Sequence, residues 1–274
     1  MRFDLLQAIS LAGDAATPND DRCGTLDALA WVIDGATDLG EPGLVGTRGG
    51  AAWIAQEADA AFRSASDAPL EAICRDVADH IAGRFQAERR RAPHGAWELP
   101  SASFLAARAA PDTLDLAWSG DCTALIKRGA AVTRLGPRAD QRDEEAAHAA
   151  SLADHGLARK QRPAPILASL REQRGRAGRA VLSADPSLVT PPVTATVAAE
   201  AGDELLLMSD GFAALIDQYA AFDVAGLFAT LTDEGLAGLA VRLRAIERED
   251  SDCRRYPRFK VSDDATALWM RCAT

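Results

Sequence analysis

Hydrophobic positions along this chain follow two rhythms. Short apolar runs cut off by Gly, Pro, Asp and Asn read as strands, and longer stretches with apolar residues three and four apart read as helices. Residues 3–13 make a first strand around Leu5–Leu11, and the polar stretch from Gly13 to Gly24 is turn-forming. Ala28–Ile33 is apolar throughout, the pattern of a strand buried on both faces. Ser103–Ala110, Thr113–Ser119 and Thr123–Lys127 follow in quick succession, separated by Pro111-Asp112 and Gly120-Asp121, so tight turns join them. Val193–Ala199, Glu204–Ser209 and Thr266–Arg271 are the remaining strands. Helices are predicted over 49–65, where Trp53, Ile54, Ala58 and Phe62 share a face, and over 69–91 with Leu70, Ile73, Val77, Ile81 and Phe85. Two more cover 211–218 and 223–248.

Strands and helices come in groups without strict alternation, which favours an α+β fold over a doubly wound α/β sheet. Residues 137–180 break the rhythm. They are rich in Arg, Asp and Glu and poor in large apolar side chains, with Pro163 and Pro165 among them. A surface helix plus a mobile excursion is the plain reading, and a lid or substrate-recognition flap the sharper one. The whole of 1–274 is read as a single domain carrying this variable insert, since sandwich domains can run well past about 150 residues.

Charge and cysteine content narrow the function. Lys and Arg number 30 against 40 Asp and Glu, a net charge of −10. That balance argues against sequence-independent nucleic-acid binding and against adsorption to anionic membranes, both of which need a basic surface. The five cysteines, Cys23, Cys74, Cys122, Cys253 and Cys272, form no CxxC pair, as expected of reduced thiols in a cytoplasmic protein. No run approaches the ~18 apolar residues of a membrane span, and the start Met1-Arg2-Phe3-Asp4 does not look like a secretory signal.

The chemistry resides in five short acidic elements, each where a predicted strand meets a turn. They are Asn19-Asp20-Asp21-Arg22, Asp34-Gly35, Gly120-Asp121, Ser209-Asp210-Gly211 and Asp263-Asp264-Ala265-Thr266. A carboxylate at the end of a buried strand is costly unless paired or bound to a cation. Oxygen-only donors suit hard ions such as Mg²⁺ or Mn²⁺. A glycine after the aspartate lets the backbone turn sharply and come close to an ion. Any one Asp-Gly pair is more often only a turn; the ordered set is what points to a metal site.

Taken in that order, the elements resemble the metal-dependent type-2C protein phosphatases, in particular bacterial members of the sporulation-phosphatase kind. The family's succession is N-E-D, D-G-x-G, a small-residue strand, G-D-S, S-D-G, and D-N or D-x-T. It is matched by NDDR at 19–22, DGATDLG at 34–40, PSASFLAA at 100–107, WSGDC at 118–122, MSDGF at 208–212 and SDDATAL at 262–268. The resemblance implies a four-layer αββα sandwich, two antiparallel sheets flanked by helices. It implies two Mg²⁺ or Mn²⁺ ions and a third, more weakly held one. Asp21, Asp34, the Gly35 carbonyl, Asp210 and Asp263 would hold the pair, with Asp34 bridging, and Asp121 would serve the third. Asp34 and Asp210 would then carry catalysis through water activated between ions roughly 3.5–4 Å apart, with a phosphoprotein or phosphopeptide as substrate.

Two departures bear on activity. Ala36 and Thr37 stand where eukaryotic members have the histidine of D-G-H-G, and Gly13–Pro18 lacks the arginine that many members place before N-E-D. Arg22 is the nearby candidate for a phosphate contact, since a guanidinium suits bidentate phosphate recognition. The first expectation is a Ser/Thr phosphoprotein phosphatase, monomeric and acting without nucleic acid or membrane. A catalytically weak or inactive metal-binding regulatory module is the alternative, and a hydrolase of small phosphate esters the third. His80, His94, His148 and His155 form no ligand pattern. The five tryptophans are assigned to packing, and Arg89-Arg90-Arg91 to a solvated helix end.

Overall fold

A computed structural model describes all residues except 138, 139 and 160, and no side chains at 140–143. Among the described residues eleven strands and six helices follow in chain order: β1 Arg2–Leu11, β2 Asp21–Leu26, β3 Leu29–Gly35, α1 Gly50–Arg63, α2 Leu70–Glu88, β4 Ser101–Ala109, β5 Thr113–Ser119, β6 Thr123–Arg128, β7 Ala131–Leu135, α3 Asp140–Ser151, α4 Ala164–Arg174, β8 Leu182–Ser183, β9 Val193–Ala198, β10 Glu204–Met208, α5 Asp210–Asp217, α6 Val224–Glu249 and β11 Ala265–Ala273. One sheet runs β1-β11-β10-β6-β7 and the other β2-β3-β4-β5-β9, with β8 paired to β4, and all ladders are antiparallel.

Strand alternation sorts the apolar residues into three cores. Ala30, Val32, Leu105, Ala107, Leu205, Leu207, Leu268 and Met270 fill the space between the sheets. Trp31, Ile33 and Phe104 point the other way, against α1 and α2. Leu206, Met208 and Ala267 meet α5 and α6 on the far side of the second sheet. The result is the four-layer αββα sandwich. The Trp31 and Phe62 rings stack with centroids 5.5 Å apart, and truncating so buried an aromatic as Phe62 to Ala costs about 3–5 kcal/mol.

Four local expectations need correction. The stretch read as turn-forming up to Gly24 becomes strand β2 at Asp21, because its polar sequence DRCGTL lies at a sheet edge where only one ladder is made. An edge strand of the other sheet, β7, is half-exposed and shows too little apolar alternation to be read beforehand. Helix α2 ends at Glu88, and Arg91 is no solvated end: it forks onto the buried Glu98 carboxylate at 2.6 and 2.8 Å. Finally, α6 does contain a window long and apolar enough to match a membrane span. Here Leu227, Phe228, Leu231, Leu236, Leu239 and Leu243 pack that face onto the sheet. The helix breaks at Gly235, whose φ is 70°, and the Gln7 side chain restarts it by accepting from Leu236 N at 2.8 Å.

Candidate metal centre

Antiparallel pairing brings the scattered acidic elements together. The starts of β2, β4, β6 and β11 and the ends of β3, β5 and β10 all lie at one end of the sandwich. In the first sheet Asp21 faces Asp34 and Asp34 faces Ser103; in the second, Met208 faces both Thr123 and Ala267. Residues attached to those strand ends are therefore neighbours although the chain separates them by up to most of its length.

Asp21 and Asp34 are direct cross-strand partners, so both point to the same face of the sheet. Asp21 is buried, with 1% of its surface exposed. Its Oδ2 accepts from the Ser209 hydroxyl at 2.8 Å, a bond that crosses from one sheet to the other. Its Oδ1 is buried with no hydrogen-bond partner. Burial first, and then the Asp34 charge, hold the Asp21 carboxyl well above the usual carboxylate range. Ser209 in turn accepts from Thr266 N at 2.9 Å, and Asn19 accepts from Asp21 N at 2.8 Å.

Asp34, at the end of β3, Asp121, in the β5–β6 turn, and Asp210, in the first turn of α5, each present a carboxylate oxygen. The three oxygens lie within 4.8 Å of one another. All are half-buried, at the mouth of a cavity of about 340 Å³ that Gly35, Ser103 and Asp263 also line. The glycines after Asp34 and Asp210 serve differently from expectation. Neither has positive φ; each instead leaves room for another acidic segment. A Cβ on Gly35 would stand 2.6 Å from Ala51 O and 2.9 Å from Asp20 O, and one on Gly211 would stand 2.0 Å from Asp264 O.

The adjacent acids of the last motif divide their work. Asp264 accepts from Gly13 N at 2.8 Å and Asp20 N at 2.6 Å, tying the β1–β2 loop to the start of β11. Asp263 reaches the shared cavity, where Lys260 Nζ lies 2.6 Å from its Oδ1. Burial works against the Lys260 charge, but Asp263 and Asp34 outweigh it and hold the ammonium above its ordinary value. Asp20 is pushed up to about 7, first by burial and then by Asp264, Asp38 and Asp34. A cluster of oxygen donors whose own charges raise one another is chemically suited to hard divalent cations. The orphaned Asp21 Oδ1 fits that assignment.

Arg22 is the candidate that the structure moves away. One residue past inward-facing Asp21, it turns to the opposite face of β2, where its guanidinium donates to the carbonyls of Asn19 at 2.9 Å and Asp21 at 2.6 Å. The cavity's arginines come from elsewhere. Arg162 and Arg179 flank α4 and Arg174 lies in its last turn, all three lining the same cavity as the aspartates. Sequence reasoning singled out none of them. His148 donates or accepts at Ser169 Oγ and sits edge-on to Phe259, at 5.4 Å between centroids. The tryptophans pack as expected, with Trp31 Nε1 donating to Asp59 at 2.8 Å.

Known proteins show the same architecture. The serine/threonine phosphatase PstP/Ppp of Mycobacterium tuberculosis superposes over 100% of both chains with a TM-score of 0.62 at 20% identity. The catalytic domain of PstP in complex with two manganese ions matches over 98% of this chain and 97% of its own, with a TM-score of 0.58 at 19% identity. Staphylococcus aureus serine/threonine phosphatase Stp1 covers 99% and 96%, with a TM-score of 0.56 at 13% identity. No curated protein sequence matches the chain. The protein phosphatase 2C family model matches residues 14–245, which takes in the acidic elements at 19–22, 34–35, 121 and 210. With that match over most of its length, the chain belongs to the protein phosphatase 2C family, whose members are metal-dependent phosphatases.

Proposed function

We propose that this protein hydrolyses phosphoserine and phosphothreonine esters of proteins at a divalent-metal centre held by Asp34, Asp121, Asp210, Asp263, the Gly35 carbonyl and, from behind, Asp21. The observation that carries the reading is the convergence of the Asp34, Asp121 and Asp210 carboxylate oxygens within 4.8 Å. When bound, a pair of Mg²⁺ or Mn²⁺ ions supplies Lewis acidity at the phosphoryl oxygens and an activated water, so no side-chain nucleophile is needed.

The chain's own groups fit that division of labour. Burial pushes the Cys23 and Cys74 thiols up to about 11 and about 12, far from thiolate chemistry near neutrality. Ser209 is committed to Asp21 and Thr266, and Ser103 packs beside Gly120. Asp34 and Asp210 bear the negative charge that retains the cations. Asp21, locked by Ser209, sits behind Asp34 and ties the two sheets together through that bond. Lys260 holds Asp263 in place and offsets charge near the phosphoryl group. An inactive module on the same fold is disfavoured, because each acidic motif is retained and three of the carboxylates meet.

The acidic balance, −10, supports a protein substrate rather than nucleic acid or an anionic membrane. Five free cysteines are in keeping with a reducing, cytoplasmic setting. Purified protein incubated with a phosphopeptide and with p-nitrophenyl phosphate, in Mn²⁺ or in chelator, tests the reading. Metal-dependent phosphate release with the peptide preferred is expected; release that ignores the chelator, or none beyond an Asp210→Asn control, overturns it.

A further inference from the structure

The loop between α6 and β11 presents an ammonium to one of the acidic motifs. Lys260 Nζ lies 2.6 Å from Asp263 Oδ1, an oxygen that also accepts from Asp264 N at 2.9 Å. Lysine is scarce in this chain: of 30 basic residues only Lys127, Lys160 and Lys260 are not arginine. The backbone that carries Lys260 is pinned. Asp250 accepts from the amides of Arg254, Arg255 and Tyr256 at 3.0, 2.9 and 3.1 Å and from Arg258 Nη1 at 2.5 Å. Arg258 in turn donates to the Val261 carbonyl at 3.0 Å, and the Cys253 thiol donates to the Lys260 carbonyl at 3.4 Å. The Lys260 stem therefore starts from a fixed point beside the acidic cavity that both Lys260 and Asp263 line.

Asp263 is one of the residues assigned to the metals, yet it stands apart from the carboxylates that converge. Among the described residues, the oxygens within 4.8 Å of one another belong to Asp34, Asp121 and Asp210. An ion held by those three can enter without displacing the Lys260–Asp263 pair. An ion that takes Asp263 has to share an oxygen with the ammonium, and two cations on one carboxylate repel strongly in a partly dry site. Asp34 adds to the attraction that keeps the ammonium there. An ammonium is a compact point charge on a flexible four-carbon stem, so it can neutralise the carboxylate in metal-free protein and swing aside when a divalent ion arrives. We propose that Lys260 competes with the second divalent ion for Asp263, a built-in cation that makes this ion the more weakly held of the pair. The proposal rests on the metal centre of the phosphatase reading and adds a regulation of it. Filling of the second position follows free Mn²⁺ or Mg²⁺ over a higher range than the first position alone would set.

Calorimetric titration of Mn²⁺ into chelator-stripped parent, Lys260→Met, Lys260→Arg and Arg179→Gln tests the competition. In Lys260→Met the weaker uptake step should tighten by on the order of tenfold, with the stronger step changed by no more than about twofold. Lys260→Arg, which keeps the charge, should stay near the parent. Arg179→Gln removes another positive charge from the cavity wall and should move the weaker step much less. Acylation of lysines read by peptide mass spectrometry follows the displacement itself: labelling of Lys260 should rise as the weaker step saturates, with Lys127 as internal reference. A weaker step unchanged or loosened in Lys260→Met, a tightening that Arg179→Gln reproduces in full, Lys260 labelling indifferent to Mn²⁺, or no Mn²⁺ uptake by the parent would overturn the proposal. Metal-dependent turnover of a phosphopeptide with metal steps untouched by Lys260→Met sinks the competition and spares the phosphatase reading; the tightened step without any turnover in the parent does the reverse.

Discussion

Opposite walls of the cavity are held in place by different means. The acidic wall is pinned by the sandwich itself: Asp21 and Asp34 face each other across a ladder, Ser209 bonds Asp21 from the other sheet, and Asp264 ties Gly13 and Asp20 to the start of β11. The basic wall is draped over it. Helix α4 buries only Ile166 and is fastened by polar contacts, Arg171 to Leu39 O at 2.8 Å and over the Trp97 ring at 4.2 Å, and Arg174 to Thr37 O. The aspartates sit at strand ends, in the turn between β5 and β6 and at the start of α5, all fixed by the sheets, whereas α4 is held chiefly by polar contacts.

The largest expected effect breaks the acidic wall chemically. Asp34→Asn or Asp210→Asn should lower kcat/KM by on the order of a thousandfold, the scale of losing a principal electrostatic contact to the transition state. Neither should lower the melting temperature of metal-free protein, because each removes a carboxylate from a cluster of like charges. Turnover kinetics and circular dichroism check the two halves separately. Next, Gly211→Ala forces a methyl against Asp264 O; a loss of about 1–3 kcal/mol in urea unfolding is expected, with weaker metal retention.

Smaller effects probe the basic wall. Glu98, forked by Arg91, belongs to the same short 3-10 turn as Trp97, the ring over which Arg171 of α4 lies. The Arg91 guanidinium, against some opposition from burial and with help from His94 N, holds the Glu98 carboxyl down at about 2, from an ordinary value of 4.5. A depressed acid stabilises the fold fully above its unfolded value and loses that contribution as pH falls through its folded one. The unfolding midpoint should therefore drop between about pH 4.5 and 2 in the parent protein, and less steeply in Arg91→Ala. Arg171→Ala should cost only about 1 kcal/mol, confined to α4, and appear as faster amide exchange there with the sheets unchanged.

The same division governs what could be read beforehand. Asp34, Asp210 and Asp263 lie at or near the ends of strands whose apolar runs are self-evident, so the α+β class and the acidic constellation were legible from the residues, while the four-layer sandwich came from the resemblance to the type-2C phosphatases. Asp21 was found by its motif although the edge strand carrying it was not. Which of Asp263 and Asp264 faces the cavity depends on backbone amides of distant residues, and the fate of Arg22 on a one-residue alternation in an unrecognised strand. The arginine wall left no trace in the pattern: Arg162, Arg174 and Arg179 sit in a stretch without apolar periodicity, three among 30 basic residues. Only the folded chain brings them to the aspartates.

Calorimetric titration of Mn²⁺ into chelator-stripped protein, alongside Asp34→Asn, tests the central claim most directly. Asp34 is the residue that joins the buried Asp21 to the Asp121–Asp210 cluster. The parent protein should take up about two ions per chain, with affinity falling at least about a hundredfold in Asp34→Asn while its circular dichroism stays unchanged. A parent protein that takes up no Mn²⁺, or an Asp34→Asn variant that binds it equally well, would contradict the account.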